Sequence, residues 1–101
     1  MIYTTEIDKL EELIKGVPLM RNCCRRRQIF DGWQIQFLNP ANGFIISDVV
    51  CHRYSYGGLS GLLEQQGLLP EYVDDDIEGW LTAEKVFERW KKHFDEKVIP
   101  F

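Results

Sequence analysis

The sequence predicts an α+β domain, a small antiparallel sheet of two or three strands packed by an N-terminal and a C-terminal helix. Apolar residues recur at helical spacing near both ends of the chain. Between them, Trp33-Gln34-Ile35-Gln36-Phe37 alternates apolar and polar, the pattern of a half-buried strand. A second run, Phe44 to Cys51, is rich in β-branched residues, and turn formers separate the two. The length of 101 residues suits one core, so residues 1–101 are read as a single domain.

The first helix is expected to start at Thr4 or Thr5, with Glu6 and Asp8 complementing its positive end. Ile7, Leu10, Leu13 and Ile14 form its apolar stripe, and Gly16 and Pro18 end it. Residues 19–28 are ambiguous, with Arg25, Arg26 and Arg27 suited to a strand edge that discourages further pairing. A strand at about 27–31 would pair through the Asp31-Gly32 turn with 33–37, and Asn39-Pro40-Ala41-Asn42-Gly43 would turn the chain into 44–51. Residues 59–66 are assigned to a short helix, with a strand as the competitor, since glycines weaken helices. The stretch 71–78 reads as a loop. Thr82 then caps a final helix whose apolar face is Val86, Phe87, Trp90 and Phe94. Trp33, Trp80 and Trp90 are read as core anchors, since none is interleaved with basic residues as a base-stacking platform requires.

A net charge of −4 argues against general affinity for nucleic acid, and the charge is unevenly spread. Residues 1–58 carry +1 and residues 59–101 carry −5. Five carboxylates fall between Glu71 and Glu78, opposed by the arginines at 21 and 25–27. These clusters read as solvated loops attracting one another or as a bipolar partner-binding surface. Three cysteines, Cys23, Cys24 and Cys51, lack regular spacing; either of the first two could pair with Cys51, but nothing compels it. The N-terminal residues lack the basic and apolar regions of a secretory signal, and no run is long enough for a membrane span. A reducing cytoplasm is expected.

Motif chemistry is sparse. Cys51-His52 with Cys23, Cys24 and His93 has the atoms of a zinc site but no Cys-x-x-Cys spacing. Gly57-Gly58-Leu59-Ser60-Gly61 lacks the Lys-Ser/Thr ending of a phosphate loop and reads as a packed turn. Asp74, Asp75 and Asp76 lack the spaced ligands of a calcium loop; nucleic-acid mimicry is a further use for them. No catalytic, cofactor or metal residues are assigned. Tyr54 and Tyr56 alternate, so one is expected to be exposed and the other buried.

Asn42-Gly43, Val49-Val50-Cys51-His52, Ser55-Tyr56-Gly57-Gly58 with Gly61-Leu62 and Glu64, and Asp75-Asp76-Ile77-Glu78-Gly79-Trp80-Leu81-Thr82 together resemble small proteins encoded by bacteriophages and prophages. The resemblance covers about residues 32–92 and brings no established activity. It implies a phage accessory setting in the bacterial host cytoplasm. The expected function is therefore non-enzymatic binding of a host protein complex, with inhibition of a defence system of the CRISPR type as its sharper form. A nucleoprotein complex is included among such partners, although direct nucleic-acid binding is not expected. The contact residues assigned are Arg25, Arg26, Arg27, Tyr56, Asp74, Asp75 and Asp76. One alternative is a small enzyme or nucleotide-binding domain using the Gly57–Gly61 turn with Cys51 or His52. Another is a homodimeric structural module pairing through exposed leucines near 62–69.

Overall fold

The computed structural model describes residues 2–98. Helix α1 (Thr5–Lys15) and a single turn, α2 (Pro18–Arg21), lead into five strands: β1 (Cys24–Ile29), β2 (Gly32–Leu38), β3 (Ile45–Cys51), β4 (Leu63–Gln66) and β5 (Ile77–Leu81). A 3-10 turn, Gly58–Ser60, precedes β4, and α3 (Ala83–His93) runs into a π turn, Phe94–Val98. The strands form one antiparallel meander in the order β1-β2-β3-β4-β5. The α+β class stands, and the expectation of two or three strands is corrected to five. Residues 63–66 are strand rather than helix, and the expected loop at 71–78 ends in β5.

Both long helices cover one face of the sheet. Ile7, Leu10 and Ile14 of α1 and Val86 and Trp90 of α3 are buried with Ile35, Phe37, Val49, Cys51 and Leu63. Their spacing in sequence is what makes this possible, since one stripe per helix and alternate strand residues meet in a single core. Each such side chain contributes about 1.5–3 kcal/mol by leaving water. The Trp90 ring lies 5.4 Å from that of Phe37, and its Nε1–H donates to Ser47 Oγ at 2.9 Å, so the large ring is buried without leaving its donor unpaired.

Polar groups lock the helices to the sheet. Glu6 of α1 is buried and accepts the Ala83 N–H at 2.8 Å, so a carboxylate sits on the amino end of α3. Thr82 Oγ1 accepts from Lys85 N at 3.3 Å, as expected for the cap. Arg89 donates to Glu78 Oε1 at 2.7 Å and to Gln65 Oε1 at 3.1 Å, which binds α3 to the last two strands and lets Gln65 be fully buried.

Among the described residues no helix covers the opposite face. Strand alternation puts Arg25 and Arg27, Gln34 and Gln36, Asp48, and Glu64 there. Arg25 donates twice to Gln36 Oε1, at 2.7 and 3.0 Å, and Gln34 donates to Asp48 Oδ2 at 2.8 Å. The face is mostly polar, although Val50 and Gln36 on it are themselves buried, and an antiparallel sheet with one face uncovered by helices is a stable arrangement.

Candidate interaction surface

One end of the sheet gathers the β1–β2 turn, the loop 52–62 and the C-terminal end of β5. Four aromatic residues are displayed there: Phe30 (67% exposed), Tyr54 (67%), Tyr56 (52%) and Trp80 (62%). Of the three non-glycine residues with positive φ among the described residues, two are in this group, Phe30 at 53° and Trp80 at 54°. For bulky side chains this region is a true outlier, and holding a residue there costs about 1–3 kcal/mol.

The backbone that imposes this conformation is visible in the pairing. Leu63 faces Leu81 and Gln65 faces Glu78, so Glu64 alone stands opposite both Gly79 and Trp80. That bulge bends β5 and re-aims Trp80 outward. The glycine-rich words of the sequence meet at this point. A Cβ on Gly57, whose φ is 89°, would lie 2.8 Å from Trp80 N, and one on Gly79 would lie 2.7 Å from Tyr56 O. The Trp80 N–H donates to Tyr56 O at 3.2 Å, and the Tyr56 N–H donates to Glu64 Oε1 at 2.8 Å. So fixed, the Tyr56 and Trp80 rings stack at 6.0 Å with 10° between their planes.

Beside them, the buried His52 ring meets the edges of Phe30 at 4.9 Å and Tyr54 at 6.1 Å. His52 Nδ1 accepts the Tyr54 N–H at 3.1 Å, which fixes the ring against the turn. Arg53 pairs with Asp31 at 3.3 Å and lies over Tyr54, 5.2 Å from its centroid. Two sequence expectations fail here. Trp80 is not a core anchor, and Tyr54 and Tyr56 are both exposed, because residues 52–57 form turns in which strand alternation does not apply.

The other assigned contact residues are scattered. Arg26 is turned toward the helices: it meets Asp8 at 2.7 Å and Glu11 at 3.0 Å, and its guanidinium lies 4.4 Å from the Trp33 ring centroid. Arg25 and Arg27 are exposed on the uncovered face of β1. Asp74, Asp75 and Asp76 are exposed just ahead of β5, at the other edge of the sheet. Four strand spacings put those edges roughly 19 Å apart, too far for the clusters to neutralise one another. Only Tyr56 of the assigned set lies in the aromatic cluster. Glu64, Phe30 and Trp80 were missed; the sequence signal was the repeated pairing of an aromatic with glycine, in Tyr56-Gly57 and Gly79-Trp80.

The residues of the catalytic alternative are placed as follows. Cys51 is fully buried, with Sγ 4.0 Å from the Gly58 carbonyl, and burial pushes its thiol up to about 11, helped by the negative charges of Glu6 and Asp31. Burial and the neighbouring Cys23 push Cys24 up to about 12. Thiols held protonated in this way are poor nucleophiles. All three cysteines are free thiols. Among the described residues no group of three or more His, Cys, Asp and Glu side chains converges to hold a metal ion. Nor is any helix among them long and apolar enough to cross a membrane. Of the leucines near the proposed dimer contact, Leu63 is buried, Leu62, Leu68 and Leu69 are half-buried, and the well-exposed one is Leu59.

Comparison with family models, curated proteins and solved structures finds no match to this chain.

Proposed function

We propose that this chain is a non-enzymatic accessory protein that binds a host protein complex through its aromatic end, in the phage setting that its Ser-Tyr-Gly-Gly and Gly-Trp-Leu-Thr words imply. The observation that carries the reading is Trp80, held at positive φ and 62% exposed while stacked on Tyr56. Interface hot spots are enriched in tryptophan and tyrosine, and backbone strain clusters at functional sites. Arg25 and Arg27 on the β1 edge and Asp74, Asp75 and Asp76 ahead of β5 lie away from this end of the sheet, and in this reading they make secondary contacts that set orientation and association rate. Inhibition of a bacterial defence complex is the sharper form of the proposal.

Affinity capture from bacterial lysate with the full chain, compared with a Tyr56→Ala/Trp80→Ala variant, tests the reading. A partner retained by the native chain and lost by the folded variant is expected. Equal recovery of the same proteins by both would overturn it. For the sharper form, expression in a strain carrying an active defence system should restore phage plaquing; unchanged plaquing removes that form.

A further inference from the structure

We propose that the Tyr56–Trp80 stack and the Glu64 carboxylate together receive a cationic side chain, an arginine or lysine, from a basic segment of the partner protein. The inference rests on the proposed function and specifies its chemistry. Two stacked rings present negative π faces, which attract a guanidinium or ammonium group. Glu64 supplies the full negative charge: its Oε1 accepts the Tyr56 N–H, and Oε2 remains to accept from a cation. The β4–β5 bulge fixes both parts at once, since it puts Glu64 opposite Gly79 and Trp80.

The molecule's internal cations show the same pairing elsewhere. Arg26 lies on Trp33 with Asp8 and Glu11 as its carboxylates, and Arg53 lies on Tyr54 with Asp31 as its carboxylate. In each case an aromatic face and a carboxylate hold one guanidinium. Tyr56, Trp80 and Glu64 repeat the aromatic and acidic halves of that arrangement, and among the described residues no side-chain cation stacks on either ring. Charge separates this occupant from a nucleic-acid strand, whose bases would also stack on such rings. A polyanion would be repelled by Glu64 and by the −5 carried by residues 59–101.

The test titrates a short Gly-Ser peptide bearing several arginines into the isotopically labelled full chain, with a matched glutamate peptide and a single-stranded oligonucleotide as the other arms. The arginine peptide is expected to shift the Trp80 indole N–H and the Tyr56 and Gly79 amides, and to bind more weakly as salt is added. Glu64→Gln keeps the oxygen that caps Tyr56 while removing the charge. It should weaken binding about two- to fivefold with the spectrum otherwise folded. The inference is overturned by shifts of equal size with the glutamate peptide, by a response to the oligonucleotide alone, or by unaltered affinity in the folded Glu64→Gln variant. Lysate capture that depends on Trp80 while the arginine peptide leaves it unshifted would defeat this inference and leave the proposed function standing. Arginine-peptide binding that Glu64→Gln weakens, alongside lysate capture that ignores Trp80, would do the reverse.

Discussion

At the β1 edge, Arg26 turns its guanidinium inward to Asp8 and Glu11 and over the Trp33 ring; at the opposite edge, Trp80 turns outward from a bulged strand with Tyr56 stacked against it. The two sites use the same kinds of group and differ in what completes them. Around Trp33 the fold supplies the ring, the cation and the carboxylates. Around Trp80 it supplies the rings and one carboxylate, and it holds the indole at a φ of 54° to do so. The first arrangement serves the fold. The second costs folding energy, and the proposed function assigns that cost to a contact made outside the chain.

The strongest way to break the comparison is to remove the glycine contact that holds Trp80 in place. Gly79→Ala puts a methyl group into the Tyr56 backbone, 2.7 Å from its carbonyl oxygen, where no flexible side chain can yield. We expect a loss of about 3 kcal/mol, read as a fall in Tm of about 10–20 °C for a domain of this size. A variant as stable as the native chain would mean that the two glycine words do not interlock.

Next in size is the arginine strand. Arg26→Ala removes an ion pair to two carboxylates and a cation–π contact, for an expected loss of about 1–2 kcal/mol by chemical denaturation. Arg27→Ala, one residue along and facing solvent, should change stability by less than about 0.5 kcal/mol. Equal effects at the two positions would erase the distinction between an absorbed and a displayed arginine.

The cysteines report on the same two regions, since Cys24 opens the arginine strand and Cys51 ends the strand that leads to the aromatic loop. In the unfolded chain a thiol titrates near 9.0, whereas in the folded protein Cys51 titrates near 11 and Cys24 near 12. Above pH 9 the unfolded chain therefore loses protons that the folded chain keeps, and stability falls as pH rises toward the folded values. Each thiol contributes a slope of at most about 1.4 kcal/mol per pH unit. Denaturation midpoints measured from pH 8 to 10 should fall less steeply in Cys24→Ser and Cys51→Ser than in the native chain. Parallel slopes in all three would show that the thiols do not differ between the folded and unfolded states.

The sequence disclosed those parts of the fold whose physics is local. An apolar stripe at Ile7, Leu10 and Ile14, or at Val86, Trp90 and Phe94, needs only helical periodicity to be seen, and β2 needs only alternation. The strand β4 was hidden because its buried position 65 is glutamine, made tolerable by the nearby carbonyls of Gly67 and Leu68 and by Arg89, which lies 24 residues further along the chain. The strand β5 was hidden because it starts at the end of an acidic run and has a glycine at its centre. Of the proposed interaction surface, Tyr56 was marked as a contact residue, although the sequence left open which of Tyr54 and Tyr56 is exposed. Trp80 was not, since tryptophan is usually buried and its outward aim depends on a bulge set by the β4 register. The inward turn of Arg26 was illegible for the complementary reason: its partners Asp8 and Glu11 lie on a helix whose packing side the strand sequence does not specify.

The smallest expected effect bears most directly on the comparison. Trp80→Gly relieves the positive-φ strain, worth about 1–3 kcal/mol, but adds about 0.5–1 kcal/mol of backbone entropy cost and loses the stack on Tyr56, worth about 0.5–1.5 kcal/mol. The gain and the losses offset each other, so its net change should lie within about 1 kcal/mol of zero. Trp80→Ala loses the stack and keeps the strain, and should be the less stable of the two. At an ordinary exposed strand position the order is opposite, since alanine there outlasts glycine through backbone entropy. Urea denaturation of both variants measures the order directly. Glycine above alanine would establish that the backbone at position 80 is strained against its own side chain. A tryptophan retained at such a position adds little to the fold, and its contribution must be sought in what the exposed ring touches.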